Sequence, residues 1–521
     1  MRIDIVLLIS CLIAWHSCKA TNDGGTPVKQ TPAPVFMIDL QSEYQEMHGF
    51  GASDAWSCQI VGKNWPDEKK NQMADLLFSQ SFSDEGNPLG IGLSMWRFNI
   101  GGGSAEQGER SDIKDAWRRA ECFMDEHRKY NWDKQSGQRW FLQAARERGV
   151  EDFTAFLNSP PVALTLNGKA YSSLPDSYNL SSDNYAPFVE YITRVLKFFK
   201  EEEGIDFHYI SPFNEPQWDW MKPTQEGTPA KNSEIATITK MLNQDFEKNG
   251  ISTLIEVPEA AKIHYLFKSG SKPNRNNQIS SFFSVDSENY IGNLSHVAHQ
   301  VAGHSYFSTW DFDRLKTVRQ ELAANINKVD PDLEYCMTEY CILENNKIIK
   351  GSGRDLGMEA ALYTARVIHA DLTYANACNW QWWIAISPYD FKDGLVYIDK
   401  DDNKGNVYDS KLLWTLGNYS RFIRPGMKRI AVKPDVIVGD EVDVSAYKTT
   451  DNKQVVFVIN NYGDDMVEFK INLENANDYA IDGYLTSANK EDNLRHVKFG
   501  KADEAISMIG KSVLTVVMRR E

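Results

Sequence analysis

The stretch HYISPFNEPQWDW, residues 208–220, starts as a short apolar run and breaks at Pro212 into polar and acidic residues followed by two tryptophans. Upstream, APFVEYITRVLKFFKEEE (186–203) spaces its apolar residues at three and four, and downstream SEIATITKMLNQDFEKNG (233–250) does the same. That is the period of an amphipathic helix. A strand-length run between two such helices is the unit of a parallel sheet. Seven further runs repeat the pattern: HGFGAS (48–53), GLSMWRFNI (92–100), DFTAFLNS (152–159), TLIEVPEA (253–260), VAGHSYFS (301–308), EYCMTEYC (334–341) and CNWQWWIAIS (378–387). Eight strands alternating with helices over this length predict an α/β fold, a (β/α)8 TIM barrel spanning 48–425. Its active site would lie where strands end and the βα loops begin.

After Pro425-Gly426 the period changes. VDVSAYKT, QVVFVINN, MVEFKINL, YAIDGYLTS and SVLTVVMRR run apolar or alternate over short lengths, with Asn, Asp and Gly between them. They predict an antiparallel β-sandwich over 426–521. VFMIDL (35–40), within an N-terminal strand segment 35–47, is a candidate to join that sheet. Before it, MRIDIVLLISCLIAWHSCKA has Arg2, an apolar stretch from Ile5 to Trp15 and then small residues, the pattern of a signal peptide over 1–18. Cys18 after Ser17 fits lipidation at a bacterial lipoprotein site, with cleavage after Ala20 as the competing outcome. Polar, Gly- and Pro-containing residues 19–34 would tether the body to that anchor. The expected location is therefore periplasm or outer-membrane surface as a lipoprotein, or otherwise secreted. Any membrane attachment would run only through the anchor.

The chain has 521 residues and a net charge of −16, with 42% hydrophobic and 12% aromatic residues. Such an acidic balance argues against nucleic acid as partner, since phosphate binding rests on clustered Lys and Arg. Fourteen tryptophans, 22 tyrosines and 25 phenylalanines fill a core and leave aromatic faces suited to sugar rings. Cysteines 58, 122, 336, 341 and 378 are odd in number and show neither CxxC nor zinc spacing, so they read as small buried residues rather than ligands or a disulfide framework. His296, His299 and His304 in HVAHQVAGH lack HExxH and a nearby carboxylate at ligand spacing, so no metal and no cofactor are expected. GHSYF lacks the second glycine of a nucleophile elbow. NIGGGSAEQG lacks the Lys-Ser/Thr of a phosphate loop.

On the expected barrel the unusual polar residues fall at strand ends. Asp54 follows the first run, Arg97 and Asn99 end the second, and Asn214 and Glu215 end the fourth. His304 and Tyr306 share a face of the sixth, Glu339 ends the seventh, and Trp380 and Trp382 share a face of the eighth. Trp218, three residues beyond Glu215, is a further candidate for stacking on sugar. Glu215 and Glu339 lie across the mouth, as glycoside hydrolysis with retention requires of two carboxyls about 5–5.5 Å apart. Asn214 is placed to hold a sugar 2-hydroxyl. Tyr306 is placed to donate to Glu339 and keep it ionised, while emptier surroundings raise the pKa of Glu215.

HGFGASDAW, MWRFNIGGGS, NSPPVALTLNG, SPFNEPQWDW, GHSYF, MTEYC, NWQWWIAISP and YSRFIRPGMKRI, in this order over about 36–521, resemble glycoside hydrolase family 30. The resemblance implies Glu215 as acid/base and Glu339 as nucleophile. It also implies that Asp54, Arg97, Asn214, His304, Tyr306 and Trp382 line the first sugar subsite, and that the sandwich packs side-on to the barrel with help from the N-terminal strand. The chain departs from the family pattern at Val162, Ala163 and Leu164, where an aromatic or methionine often follows the paired prolines. The insertion 101–140, with Trp117, Phe123, Tyr130 and Trp132, is either a wall of the cleft or a stabilising loop.

The expected function is an exported, monomeric hydrolase of β-linked polysaccharide or oligosaccharide. The motif forms point to endo-β-1,6-galactanase, with β-1,6-glucanase, β-xylanase and exo-β-glycosidase as alternatives. A non-catalytic surface glycan-binding lipoprotein is the alternative from another class, and it would have no need of both Glu215 and Glu339.

Overall fold

The computed structural model describes residues 33–501 and 504–520. The expected signal peptide, the expected lipidation site Cys18 and nearly all of the expected tether lie outside the described residues. The N-terminal strand is β1 (Val35–Glu46), and eight strands then close a parallel barrel: β2 (Gly49–Ser53), β3 (Met95–Ile100), β4 (Asp152–Leu157), β5 (Tyr209–Ser211), β6 (Leu254–Ala260), β7 (Val297–His304), β8 (Glu334–Tyr340) and β9 (Ala377–Trp382). Each falls within or across one of the eight apolar runs, and β9 pairs back onto β2 through Gly49↔Asn379 to close the ring. Nearly every barrel-strand residue is buried, because side chains on one face fill the barrel and those on the other meet the helices.

The ladders are irregular near the starts of β6 and β8, between Ile255 and Val257 and between Tyr335 and Cys336, and again at three C-terminal ends. Register slips between Val257 and Ala260 in β6, between Gly303 and His304 in β7, and between Met337 and Tyr340 along β8. Such slips re-aim side chains, and these three segments carry Glu259, His304 and Glu339. The eighth run, expected as one strand over 378–387, is divided. β9 ends at Trp382, and Ile386–Ser387 is β10 of a separate three-stranded sheet with β11 (Val396–Ile398) and β12 (Val407–Tyr408). Where the chain leaves the barrel, the Trp382 indole N–H donates to the carbonyl of Asp393 (2.8 Å), in the next loop.

The C-terminal strands β13 (Lys428–Pro434), β14 (Val442–Lys448), β15 (Gln454–Asn461), β16 (Val467–Asn472), β17 (Ala480–Ser487), β18 (Arg495–Lys498), β19 (Ile506–Met508) and β20 (Ser512–Arg519) form with β1 a nine-stranded sheet ordered β18-β17-β20-β15-β14-β13-β1-β16-β19. The sheet folds over on itself. Phe36 of β1, Phe457 of β15 and Phe469 of β16 meet with ring centroids 5.5–6.0 Å apart, inside a core shared by Ile38, Ile471, Leu514 and Val516. Every strand pairing within 426–521 is antiparallel, as expected, and β1 joins the sheet antiparallel to β13 and parallel to β16. The helix Lys411–Ser420 couples barrel to sandwich. Asn418 donates to the Tyr484 carbonyl (2.9 Å) and accepts from Thr515 Oγ1 at its own carbonyl (2.6 Å), and Phe422 stacks on Tyr484 at 4.3 Å.

Insertion 101–140 divides by role. Phe123, Tyr130 and Trp132 pack on the helix Tyr185–Glu202, with Trp132 stacked on Phe198 at 4.5 Å, which is the stabilising alternative. All five cysteines of the folded body are buried and free.

Candidate active site

Glu215 and Glu339 meet at the C-terminal mouth of the barrel, with carboxylate oxygens within 4.8 Å of each other and of a nitrogen of His304. Both are nearly buried. Glu215 sits just past β5 with φ of +47°, a left-handed conformation that costs free energy for a residue with a Cβ and is held only by its surroundings. Its N–H donates to the carbonyl of Glu259 (2.9 Å), and its own carbonyl accepts from the Trp220 indole (3.1 Å). Glu259 is also left-handed, with φ of +58°.

Each oxygen of Glu339 has its own donor. Arg97 Nη1 approaches Oε2 at 2.6 Å and Tyr306 Oη donates to Oε1 at 3.0 Å. Arg97 also donates to Asn214 Oδ1 (3.1 Å) and pairs with Glu259 Oε1 (3.3 Å), while its guanidinium lies 3.7 Å from the Phe156 ring centroid. Glu215 has different neighbours. Burial raises its pKa, and the charge of Glu339 adds to the rise, against the His304 hydrogen bond and charge. This environment suits a carboxyl that holds a proton above the ordinary carboxylate range.

His304 bridges two acids, with Nδ1 3.0 Å from Glu215 Oε1 and Nε2 2.9 Å from Glu259 Oε2. Burial alone would lower its pKa, but Glu339, Glu215 and Glu259 outweigh burial and lift it to about 10. These acids favour the imidazolium form, which can donate from both nitrogens. Glu215, His304 and Glu339 also lie close enough in space to be ligands of one ion. Glu259, wholly buried, is the anchor beneath them. It accepts from Ser211 Oγ (2.7 Å), Thr338 Oγ1 and His304, and it pairs with Arg97. Burial pushes its pKa up, yet Arg97 and His304 overcome this and bring it down to about 2. Glu256 below it is raised to about 8 by burial and by Glu259.

The description O-Glycosyl hydrolase family 30 matches this chain over residues 34–397. The chain belongs to glycoside hydrolase family 30. An endo-β-1,6-galactanase of Hypocrea rufa is 24% identical over 475 residues, covering 88% of this chain and 85% of that protein. Among solved structures, a conserved exported protein from Bacteroides fragilis is 36% identical with a TM-score of 0.87, covering 93% of this chain and all of that one. The catalytic domain of xylanase C from Talaromyces cellulolyticus shares the fold at 19% identity and a TM-score of 0.67, over 93% of this chain and 99% of that one.

Within this family 30 barrel, Arg97, Asn214, Glu215, His304, Tyr306 and Glu339 are brought into one connected cluster. Asp54 lies at its edge. Its Oδ1 accepts from the Asn99 N–H (2.8 Å), Oδ2 has no partner in the protein, and burial lifts its pKa to about 8. Trp382 is buried and stacks on Trp380 at 6.1 Å. Trp380 is not brought to the cleft, since it is wholly buried and its indole donates to Asp371 Oδ2 (2.9 Å) of the helix Met358–Tyr374. Trp218 is partly exposed, with Lys262 4.9 Å from its ring centroid. His299 pairs with Asp330 (3.1 Å) at the other end of β7, away from His304.

Several further residues around the family 30 site, most of them also at or just beyond strand ends, are not singled out by the sequence. Glu259 and Glu256 are two acids inside the apolar run TLIEVPEA, and that break in the pattern is the available signal. Asn158 accepts from Asn214 Nδ2 (3.0 Å), and its own Nδ2 has no partner in the protein. An aromatic cluster of Trp56, Phe156 and the partly exposed Trp383 joins the ends of β2, β4 and β9, with Trp56 and Trp383 edge to face at 5.1 Å. Arg118 of the insertion reaches this cluster, 5.5 Å from the Trp56 ring and 4.9 Å from that of Tyr389.

Proposed function

We propose that this glycoside hydrolase cleaves β-1,6-linked galactan internally and with retention of anomeric configuration. The observation that carries the mechanism is the separation of Glu215 and Glu339. Oxygens within 4.8 Å match the short gap of retaining enzymes, about 5–5.5 Å between carboxyls, rather than the roughly 6.5–9.5 Å that makes room for a water in inverting ones. Glu339, oriented on both oxygens by Arg97 and Tyr306, attacks the anomeric carbon. Glu215, its pKa raised, protonates the leaving oxygen and later deprotonates the incoming water. His304 holds Glu215 at the required angle. Asn214, tied to Arg97 and Asn158, is placed to bind the sugar 2-hydroxyl, and the partly exposed Trp383 and Trp218 offer ring faces to neighbouring sugars.

The linkage is supported by the Hypocrea rufa relative, whose match spans most of both chains. Export is supported by the exported Bacteroides fragilis protein of similar sequence and structure. Among the described residues no helix is long and apolar enough to cross a membrane.

The test is hydrolysis of β-1,6-galactan, β-1,6-glucan and xylan, followed by proton NMR from the first minutes and run beside Glu339→Gln. Internal cleavage of galactan with the β-anomer appearing first, and none in the variant, is the expected result. Early α-anomer would overturn the roles of the pair. Cleavage of glucan or xylan instead would keep the mechanism and replace the sugar.

A further inference from the structure

The floor of the barrel, opposite the cleft, carries the second cluster of metal-ligand side chains found among the described residues: His48, Cys336 and Cys378, with ligand atoms all within 4.8 Å of one another. His48 directly precedes β2, and its N–H donates to the Cys378 carbonyl (2.7 Å). Cys336 and Cys378 sit near the starts of β8 and β9. Both are wholly buried, with their sulfurs 3.0 Å apart. The imidazole is divided in its contacts. Nε2 lies 3.2 Å from Glu334 Oε2, while Nδ1 is buried and has no hydrogen-bond partner. A cavity of about 380 Å³, lined by His48, Asp152, His208 and Pro425 among others, gives solvent a path to the imidazole.

We propose that His48, Cys336 and Cys378 form a three-ligand site for a thiophilic divalent cation of the zinc type. Two thiolates and one imidazole are the donors such ions select over hard oxygen ligands. A carboxylate holding the far ring nitrogen is the usual support for a metal-bound histidine, so Glu334 on Nε2 leaves Nδ1 as the ligand. Two sulfurs on one tetrahedral zinc at about 2.3 Å each would stand roughly 3.8 Å apart, so the thiols need to part by less than an ångström. Both thiol protons leave to solvent as the ion enters, and water completes the fourth position. The ion would tie the start of the barrel to its last two strands across the β2–β9 seam, closing loops of hundreds of residues. Positions 48, 336 and 378 are too far apart in sequence for any spacing rule to register.

The experiment uses the whole mature chain, reduced, stripped with a chelator and titrated anaerobically with cobalt(II). One equivalent is expected to raise thiolate-to-cobalt charge-transfer bands in the near ultraviolet and tetrahedral d–d bands in the visible, both erased by zinc(II), with a higher thermal midpoint in zinc. Cys378→Ser and His48→Gln should lose the bands while keeping native circular dichroism. Should either variant fail to fold, the wild type still decides: zinc must protect Cys336 and Cys378 from alkylation, read by peptide mass. Absence of cobalt bands in the reduced wild type, bands that persist in Cys378→Ser, or alkylation unaffected by zinc would each overturn the proposal.

Discussion

Replacing Glu259 by glutamine keeps the shape of a wholly buried side chain and removes one charge from between Arg97 and His304. The structure sets the magnitude. Glu259 moves from an ordinary value of 4.5 to about 2 on folding, and at about 1.4 kcal/mol for each tenfold in proton affinity this makes its charged form worth roughly 3 kcal/mol of stability at neutral pH. The same size follows from the rule that breaking one side of a buried ion pair costs about 3–5 kcal/mol, taken at its low end because Arg97 keeps Glu339 and His304 keeps Glu215. The sign with pH is fixed. A depressed carboxyl gives stability that is present above 4.5 and lost as pH falls through 2, so the deficit of Glu259→Gln should be largest at about pH 6–7 and smaller by about two-fifths near pH ~3.5. Urea unfolding of both proteins at those pH values is the assay. A deficit under about 1 kcal/mol at neutral pH, or one that does not shrink on acidification, would refute the account of Glu259 as the charged anchor of the site.

Glu215→Gln should slow cleavage of unactivated glycan by about a hundredfold to ten-thousandfold, and much less when the leaving group is a nitrophenol that needs no proton. Because burial and Glu339 raise the Glu215 pKa, the wild-type rate should fall on the alkaline side as pH rises through a value above the ordinary carboxylate range, and that limb should vanish in the variant. A limb that survives in Glu215→Gln assigns the proton to another group. Asp371→Asn removes a buried carboxylate that holds Arg319 (2.6 Å), Ser305 (2.9 Å) and Trp380 (2.9 Å). It should cost about 3–5 kcal/mol in urea unfolding, and a loss under about 1 kcal/mol would show that these contacts do not act as a unit.

How far the sequence reaches depends on what kind of interaction sets each feature. Strand positions are legible because burial on both faces of a parallel sheet writes itself as a continuous apolar run, and all eight barrel strands lie within or across the runs read from period alone. The carboxyl pair is legible because strand-end placement brings distant residues to one rim. Where the eighth strand stops is not legible, and the bond found there from the Trp382 indole to the Asp393 carbonyl leaves no mark on the periodicity of NWQWWIAIS. The same alternation that points to Trp382 also admits Trp380, and only the Asp371 contact separates them.

Glu259 shows a deeper limit. Two acids in TLIEVPEA contradict a buried strand unless their charge is compensated, and the compensating groups lie on β3, β5, β7 and β8: Arg97, Ser211, His304 and Thr338. No local pattern links five positions spread over more than two hundred residues. The converse holds as a rule for barrels: an ionisable residue inside an otherwise apolar strand must have found a partner, as Glu259 has, or given up its charge, as burial favours for Glu256, because an unpaired buried charge costs several kcal/mol. By that rule Glu259 belongs beside Arg97, itself the only cation in MWRFNI. The buried polar layer on which Glu215 and Glu339 rest is therefore written in two strands, as one cation and two acids where the apolar pattern allows none.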